Sequence, residues 1–144
     1  MVSPRNVFID TNVLMDVLIQ REPFYMASAQ IWSLAEKGIV CGLISVISFN
    51  NIYYVVRKQK NRRIAKRILV SLRDTFVPVA LNEQILNQAI DAGFTDFEDA
   101  IQYFSAVHGA ADYLVSRNPK HFKNVDLPIL APDEFIVALG AQEK

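Results

Sequence analysis

The sequence predicts an α/β protein, a three-layer α/β/α sandwich around a central parallel sheet of four to five strands. Three observations predict it. Short apolar runs rich in β-formers recur at residues 7–9, 40–45 and 113–115. Segments of helical period, singly or in pairs, separate each run from the next. Turn and cap residues punctuate the boundaries: Gly38, Asn82, Gly93, Asp96 and Gly109. Strands that alternate with helices in this way pair in parallel through right-handed crossovers, with helices on both faces.

The first strand is the run Val7-Phe8-Ile9, too short for a helix. A helix follows over residues 13–19, with Leu14, Val17 and Leu18 on one side. Gln20-Arg21-Glu22-Pro23 breaks it, and Pro23 suits the first turn of a second helix reaching residue 37. Gly38 ends that helix. Residues 40–45 read as a second buried strand. Ser45 or Ser48 is placed to cap a third helix over 46–57, and a fourth runs over 62–74. Residues 75–80 form a third strand, weakened by Pro78. Asn82 caps a helix over 83–92, and Asp96 caps another over 97–108. Residues 113–115 form the fourth strand and 127–130 a short last one. Pro132 opens a closing helix to about residue 139.

The 144 residues suffice for a single domain, 1–144, with a substantial core, and 51% hydrophobic against 21% charged residues excludes a disordered chain. Formal net charge is zero, so any nucleic-acid argument must rest on local patches. Cys41 is the only cysteine, which excludes an intrachain disulfide, and with two histidines it excludes a structural zinc cluster. The polar residues 1–5 lead straight into the first strand with no signal peptide, and no apolar run approaches 18 residues. The expectation is a cytoplasmic protein without membrane contact.

Polar residues gather where strands end, the edge at which open α/β sheets bind ligands. Asp10 follows the first strand; the alternative is that Asp10 or Thr11 only caps the next helix. Asp96 and Asp99 open the sixth helix three residues apart, on one face. Two carboxylates so close repel unless a cation or a proton relieves them, although Asp96 also reads as an N-cap with Asp99 at N3. Arg117-Asn118-Pro119 follows the fourth strand as a turn signal. Asn51 shares a helical stripe with Ile47, Tyr54 and Val55, where a buried amide needs partners or a polar cavity.

Phe8-Ile9-Asp10-Thr11-Asn12-Val13-Leu14 resembles the opening of a PIN domain. Asp99-Ala100-Ile101-Gln102 and the stretch from Ala111 through Ser116-Arg117-Asn118-Pro119 to Phe122 resemble its later motifs, and Leu130-Ala131-Pro132-Asp133-Glu134-Phe135 its close. The resemblance spans roughly residues 6 to 138, and the order and spacing of the motifs carry it. It implies a metal-dependent endoribonuclease, in many relatives the toxin of a VapC-type toxin–antitoxin pair, with an antitoxin protein as partner. It maps the family's acids and polar groups to Asp10, Asp99 and Asn118, with Ser116 two residues before the last. The helix glutamate maps to Asn51, a departure. Asp96 resembles an additional acid of one branch, which also carries asparagine on the third helix.

Hard cations want oxygen ligands, preferably anionic, and Asn51 keeps a carbonyl oxygen while removing a charge. Asp10, Asp96 and Asp99 remain as the expected ligands of Mg²⁺ or Mn²⁺. Seven of the 15 Lys and Arg fall between Arg57 and Arg67. That cluster suits phosphates of RNA, and Arg62, Arg63 and Arg67 are candidate substrate contacts beside Asn12, Ser116 and Arg117. Apolar residues near Phe24, Tyr25, Trp32 and Tyr53 suggest a homodimer. The rival is a PIN-like domain that binds RNA or a protein partner without efficient cleavage. A phosphatase-like or signalling domain would want a lysine at a strand end, which is missing.

Overall fold

A computed structural model describes residues 5–142; the polar start at residues 1–4 and the last two residues of the expected domain lie outside the described residues. Five strands, β1 (Arg5–Ile9), β2 (Val40–Ser45), β3 (Val77–Val79), β4 (Tyr113–Val115) and β5 (Ile129–Leu130), form a sheet in the order β3-β2-β1-β4-β5. Every pairing is parallel. The connecting helices are α1 (Thr11–Leu18), α2 (Tyr25–Glu36), α3 (Val46–Gln59), α4 (Arg62–Thr75), α5 (Glu83–Asp91), α6 (Phe97–His108) and α7 (Pro132–Gln142).

Successive residues of β1 feed opposite cores, as strands covered on both faces must. Val7 and Ile9 join Ile44 and Val115 against side chains of α1, α2, α3, α4 and α7, among them Leu14, Ile31, Ile52, Leu72 and Phe135. Phe8, Leu43 and Leu114 pack on the other face against Tyr103 and Ala106 of α6 and against Phe122. α5 joins α6 through Ile85, Ala89, Ala100 and Ile101. Each fully buried side chain of this size contributes about 1.5–3 kcal/mol. Gly42 on β2 is required by packing: a Cβ there would stand 2.6 Å from a ring carbon of Phe76.

Several boundaries differ from the expected ones. α1 begins at Thr11, directly after Asp10, with no intervening turn. Pro23 precedes α2 instead of opening it, since Phe24 is the N-cap. α4 runs on through Thr75, and β3 shrinks to three residues, because Pro78 has no N–H for a ladder and is tolerated only on an edge strand. β5 keeps two of its four expected residues. Asn82 and Asp96 cap α5 and α6 through their side chains, and Ser45, of the two serines considered, caps α3.

Candidate active site

The parallel ladders of β1 and β4 place Ile9 opposite Val115, so Asp10 and Ser116 leave the sheet side by side at its carboxyl edge. The Asp10 backbone N–H donates to the Val115 carbonyl at 3.0 Å. Asp10 takes the N-cap position of α1 but makes no side-chain cap bond there. Its Oδ2 instead accepts a hydrogen bond from Ser116 Oγ at 3.1 Å, and Ser116 Oγ accepts from the Asn118 backbone N–H at 3.2 Å. One hydroxyl thus fixes both the acid and the turn after β4. Asn118 starts the 3₁₀ turn Pro119–His121, with its side chain exposed.

Asp10 is 4% exposed. Burial pushes its carboxyl up to about 6, against the pull of the Ser116 hydroxyl; repulsion from Asp99 and Glu98 adds to the rise. Asp99 also titrates above the usual carboxylate range, from its own burial first and the neighbouring Asp96 next, with His121 opposing. His121 Nδ1 lies 3.6 Å from Asp99 Oδ2. Asp96 Oδ1 accepts from the Asp99 backbone N–H at 3.1 Å, so the capping reading of Asp96 holds, and its charge bears on Asp99.

Asn51, half-buried on α3, donates from Nδ2 to Glu98 Oε1 at 3.3 Å. Glu98, not singled out in the sequence, therefore belongs to the cluster: its charge bears on Asp10 and Asp99, and it meets the amide that stands where the family resemblance maps a glutamate. Its signal was the three acids within the four residues Asp96 to Asp99. Beneath them lies a buried polar knot. Thr11 Oγ1 and Ser48 Oγ are 2.6 Å apart, and Gln102 Nε2 donates to Thr11 Oγ1 at 3.2 Å. It ties together α1, α3 and α6, the helices around the acids. Asn12, on the first turn of α1, is exposed.

Arg117 stands elsewhere than expected. Its Nη1 pairs with Asp16 Oδ1 at 3.2 Å, and its guanidinium lies 4.7 Å from the centre of the Phe24 ring. Asp16 is fully buried, and Arg21 approaches the same oxygen at 3.6 Å. The arginine straps the loop after β4 to α1, a structural task that occupies its charge. Arg62, Arg63 and Arg67 lie exposed at the start of α4, and Arg63 and Arg67 share a hollow with Lys66 and Val70. The basic segment begins at Arg57, about 9 Å along α3 from Asn51, so it flanks the acids and does not enter them. Of the apolar residues proposed for assembly, Phe24, Tyr25, Trp32 and Tyr53 are half-buried; Met26 and Val137 are the more exposed, at 68% and 73%.

Among the described residues, no three Asp, Glu, His or Cys side chains stand close enough together to hold a metal ion as they are. The chemistry of the set is that of hard oxygen donors: Asp10 is buried with no cationic partner and is repelled by two further carboxylates. The donor chemistry of these acids suits a divalent ion.

A family model described as the PIN domain matches residues 6–120. Ribonuclease VapC1 of Aquifex aeolicus (strain VF5) is 26% identical over 137 residues, covering 92% of this chain and 94% of that protein. The VapBC-1 structure from nontypeable Haemophilus influenzae superposes with a TM-score of 0.67 at 18% identity, over 89% of this chain and 98% of that one. A toxin–antitoxin complex from Klebsiella pneumoniae gives 0.66 at 19% identity, over 88% and 97%. At such identities these structures speak for the shared fold.

Proposed function

The chain belongs to the PIN domain family, and from that premise we propose that it is a divalent-metal-dependent endoribonuclease, the toxin of a toxin–antitoxin pair, with residues 1–144 as a single domain. Ribonucleases of this family are generally divalent-metal dependent. The observation that carries the reading is Asp10, a buried carboxylate at the carboxyl edge of the sheet that meets a hydroxyl and two like charges but no cation.

Asp10 and Asp99 would hold Mg²⁺ or Mn²⁺, with Asp96 and Glu98 in electrostatic support and Asn51 and Asn118 as polar neighbours. Ser116 donates to Oδ2 of Asp10 and would keep the carboxylate oriented for such an ion. A bound divalent ion lowers the pKa of its water and offsets charge on the phosphate. The chain's own residues keep the acid buried and oriented, and Asn12 and the basic residues of α4 bind the RNA. RNA as substrate places the protein in the cytoplasm, with an antitoxin as its controlling partner. The exposed Met26 and Val137 supply an apolar surface for a homodimer.

The test is cleavage of an unstructured RNA by wild type, Asp10→Asn and Asp99→Asn, in Mn²⁺ and in EDTA. Both variants and the EDTA sample should be inactive; cleavage that survives Asp10→Asn overturns the proposal. A second reading, binding of RNA or a protein partner without cleavage, is favoured by the amide of Asn51, which neutralises one position and engages Glu98. Asn51→Glu separates the two. In a metal site it tightens Mn²⁺ binding and weakens the metal-free fold by crowding; equal loss of stability with and without Mn²⁺ makes Asn51 a structural amide.

A further inference from the structure

The cavity beside the acids has a chemistry of its own. It measures about 1060 Å³ and opens between the turn before α6 and the loop that joins β4 to β5. Asp99 and Asp96 form one wall, and Phe94 and Tyr103 line its apolar part. Phe94 is fixed by other rings, with centroids 5.9 Å from Tyr103, 6.1 Å from Phe104 and 6.2 Å from Phe122, yet it stays half-exposed. Lys120, His121 and Lys123 lie exposed at its edge, and among the lining residues Asp126 is the one acid outside the Asp96–Asp99 wall.

We propose that this cavity binds one unpaired nucleotide of an RNA strand, its base against Phe94 and Tyr103 and its phosphate toward Lys120 and Lys123, adjacent to the phosphate presented to Asp99. The inference rests on the nuclease reading for its choice of ligand. Its independent support is the pairing of an immobilised aromatic platform with cationic groups in one cavity, the combination by which proteins hold single strands. The volume matches the upper end of small-molecule sites, roughly 300–1,000 Å³, enough for a nucleotide and its water. A smaller hollow on α5 is lined by Glu83 and Asp91 and lacks this basic rim. Because every base presents a π-face, the pocket is tolerant of base identity. It also excludes a paired base, whose faces are covered by its neighbours in the helix.

The test uses the full chain in EDTA and a short single-stranded RNA carrying 2-aminopurine, whose fluorescence falls on stacking. Wild type should quench it. Phe94→Leu, which keeps an apolar side chain in the packing, and the double variant Lys120→Gln with Lys123→Gln should each bind about tenfold more weakly. The shift in thermal midpoint on adding Mn²⁺, which reads the acids alone, should match wild type in both. Should Phe94→Leu fail to fold, the lysine variant decides. Affinity within twofold of wild type in the lysine variant, or preference for a duplex over a single strand, overturns the proposal. Wild-type quenching lost in both variants without any RNA cleavage in Mn²⁺ would sink the nuclease reading and leave the pocket standing.

Discussion

Asp10 and Asp16 stand six residues apart, one just before α1 and one within it, at 4% and 0% exposure. Burial raises both carboxyls. Their surroundings then diverge. Asp16 is met by Arg117 at 3.2 Å and Arg21 at 3.6 Å, whose charges pull its titration back down. Asp10 meets the hydroxyl of Ser116 and the Asn12 backbone N–H but no cation, and is pushed further up by Asp99 and Glu98. The protein gives one buried acid a counter-charge and leaves the other without one. Burial of a charge alone does not mark a site; burial without a counter-charge does.

The largest effect expected is on the neutralised acid. Arg117→Met removes the main partner of Asp16 and should cost about 3–5 kcal/mol by chemical denaturation, most of it recovered when Asp16→Leu is added. A loss without such recovery would mean that the contact with Phe24, and not the ion pair, is what Arg117 supplies. Asp10→Asn should do the opposite. Asp10 titrates near 6 folded against an ordinary 3.8, so the folded chain holds the extra proton between those values. The stability this gives is complete below about pH 4 and lost as pH rises through 6, a difference of about 3 kcal/mol. In EDTA at pH 7 the variant should therefore be the more stable by up to that amount, with the gain vanishing towards pH 4. A variant equally stable at both pH values would remove the contrast with Asp16.

Adding Mn²⁺ sharpens it from the other side. At tenfold over its Kd the ion should stabilise wild type by about 1.4 kcal/mol and leave Asp10→Asn almost unmoved, read as thermal midpoints. Equal shifts would show that the ion binds elsewhere. The smallest effect belongs to Ser116→Ala. Losing the donor to Oδ2 should cost about 1 kcal/mol at pH 7 and less at pH 4, where the carboxyl is neutral, and should move the Asp10 transition to higher pH.

The fold was legible because local signals agreed with it. Apolar runs marked the strands, and Asn82, Asp96 and Gly38 marked helix ends through chemistry that acts within a few residues. β3 and β5 were overextended because their lengths depend on pairing with neighbours that a local pattern does not contain. At the site, Asp10, Asp96, Asp99 and Asn118 were legible as polar residues at strand or helix ends. Asp16 was not, since its partner is 101 residues away and a lone acid in a short amphipathic helix reads as solvated. For the same reason Arg117 read as a free cation. Glu98 was not singled out, because its meeting with Asn51 joins α3 to α6 across 47 residues.

The hydrogen bond from Ser116 to Asp10 spans 106 residues, and the strand beneath it, β4, pairs with β1, which is synthesised well before it. A ribosome therefore displays Asp10 long before Ser116. Until then β1 has one of its two neighbours and the acid has no hydroxyl to set it. Contacts so distant in sequence close late, after the chain between them is available. A polypeptide that ends before Ser116 thus carries Asp10 without the hydroxyl that sets it and without β4 beside β1.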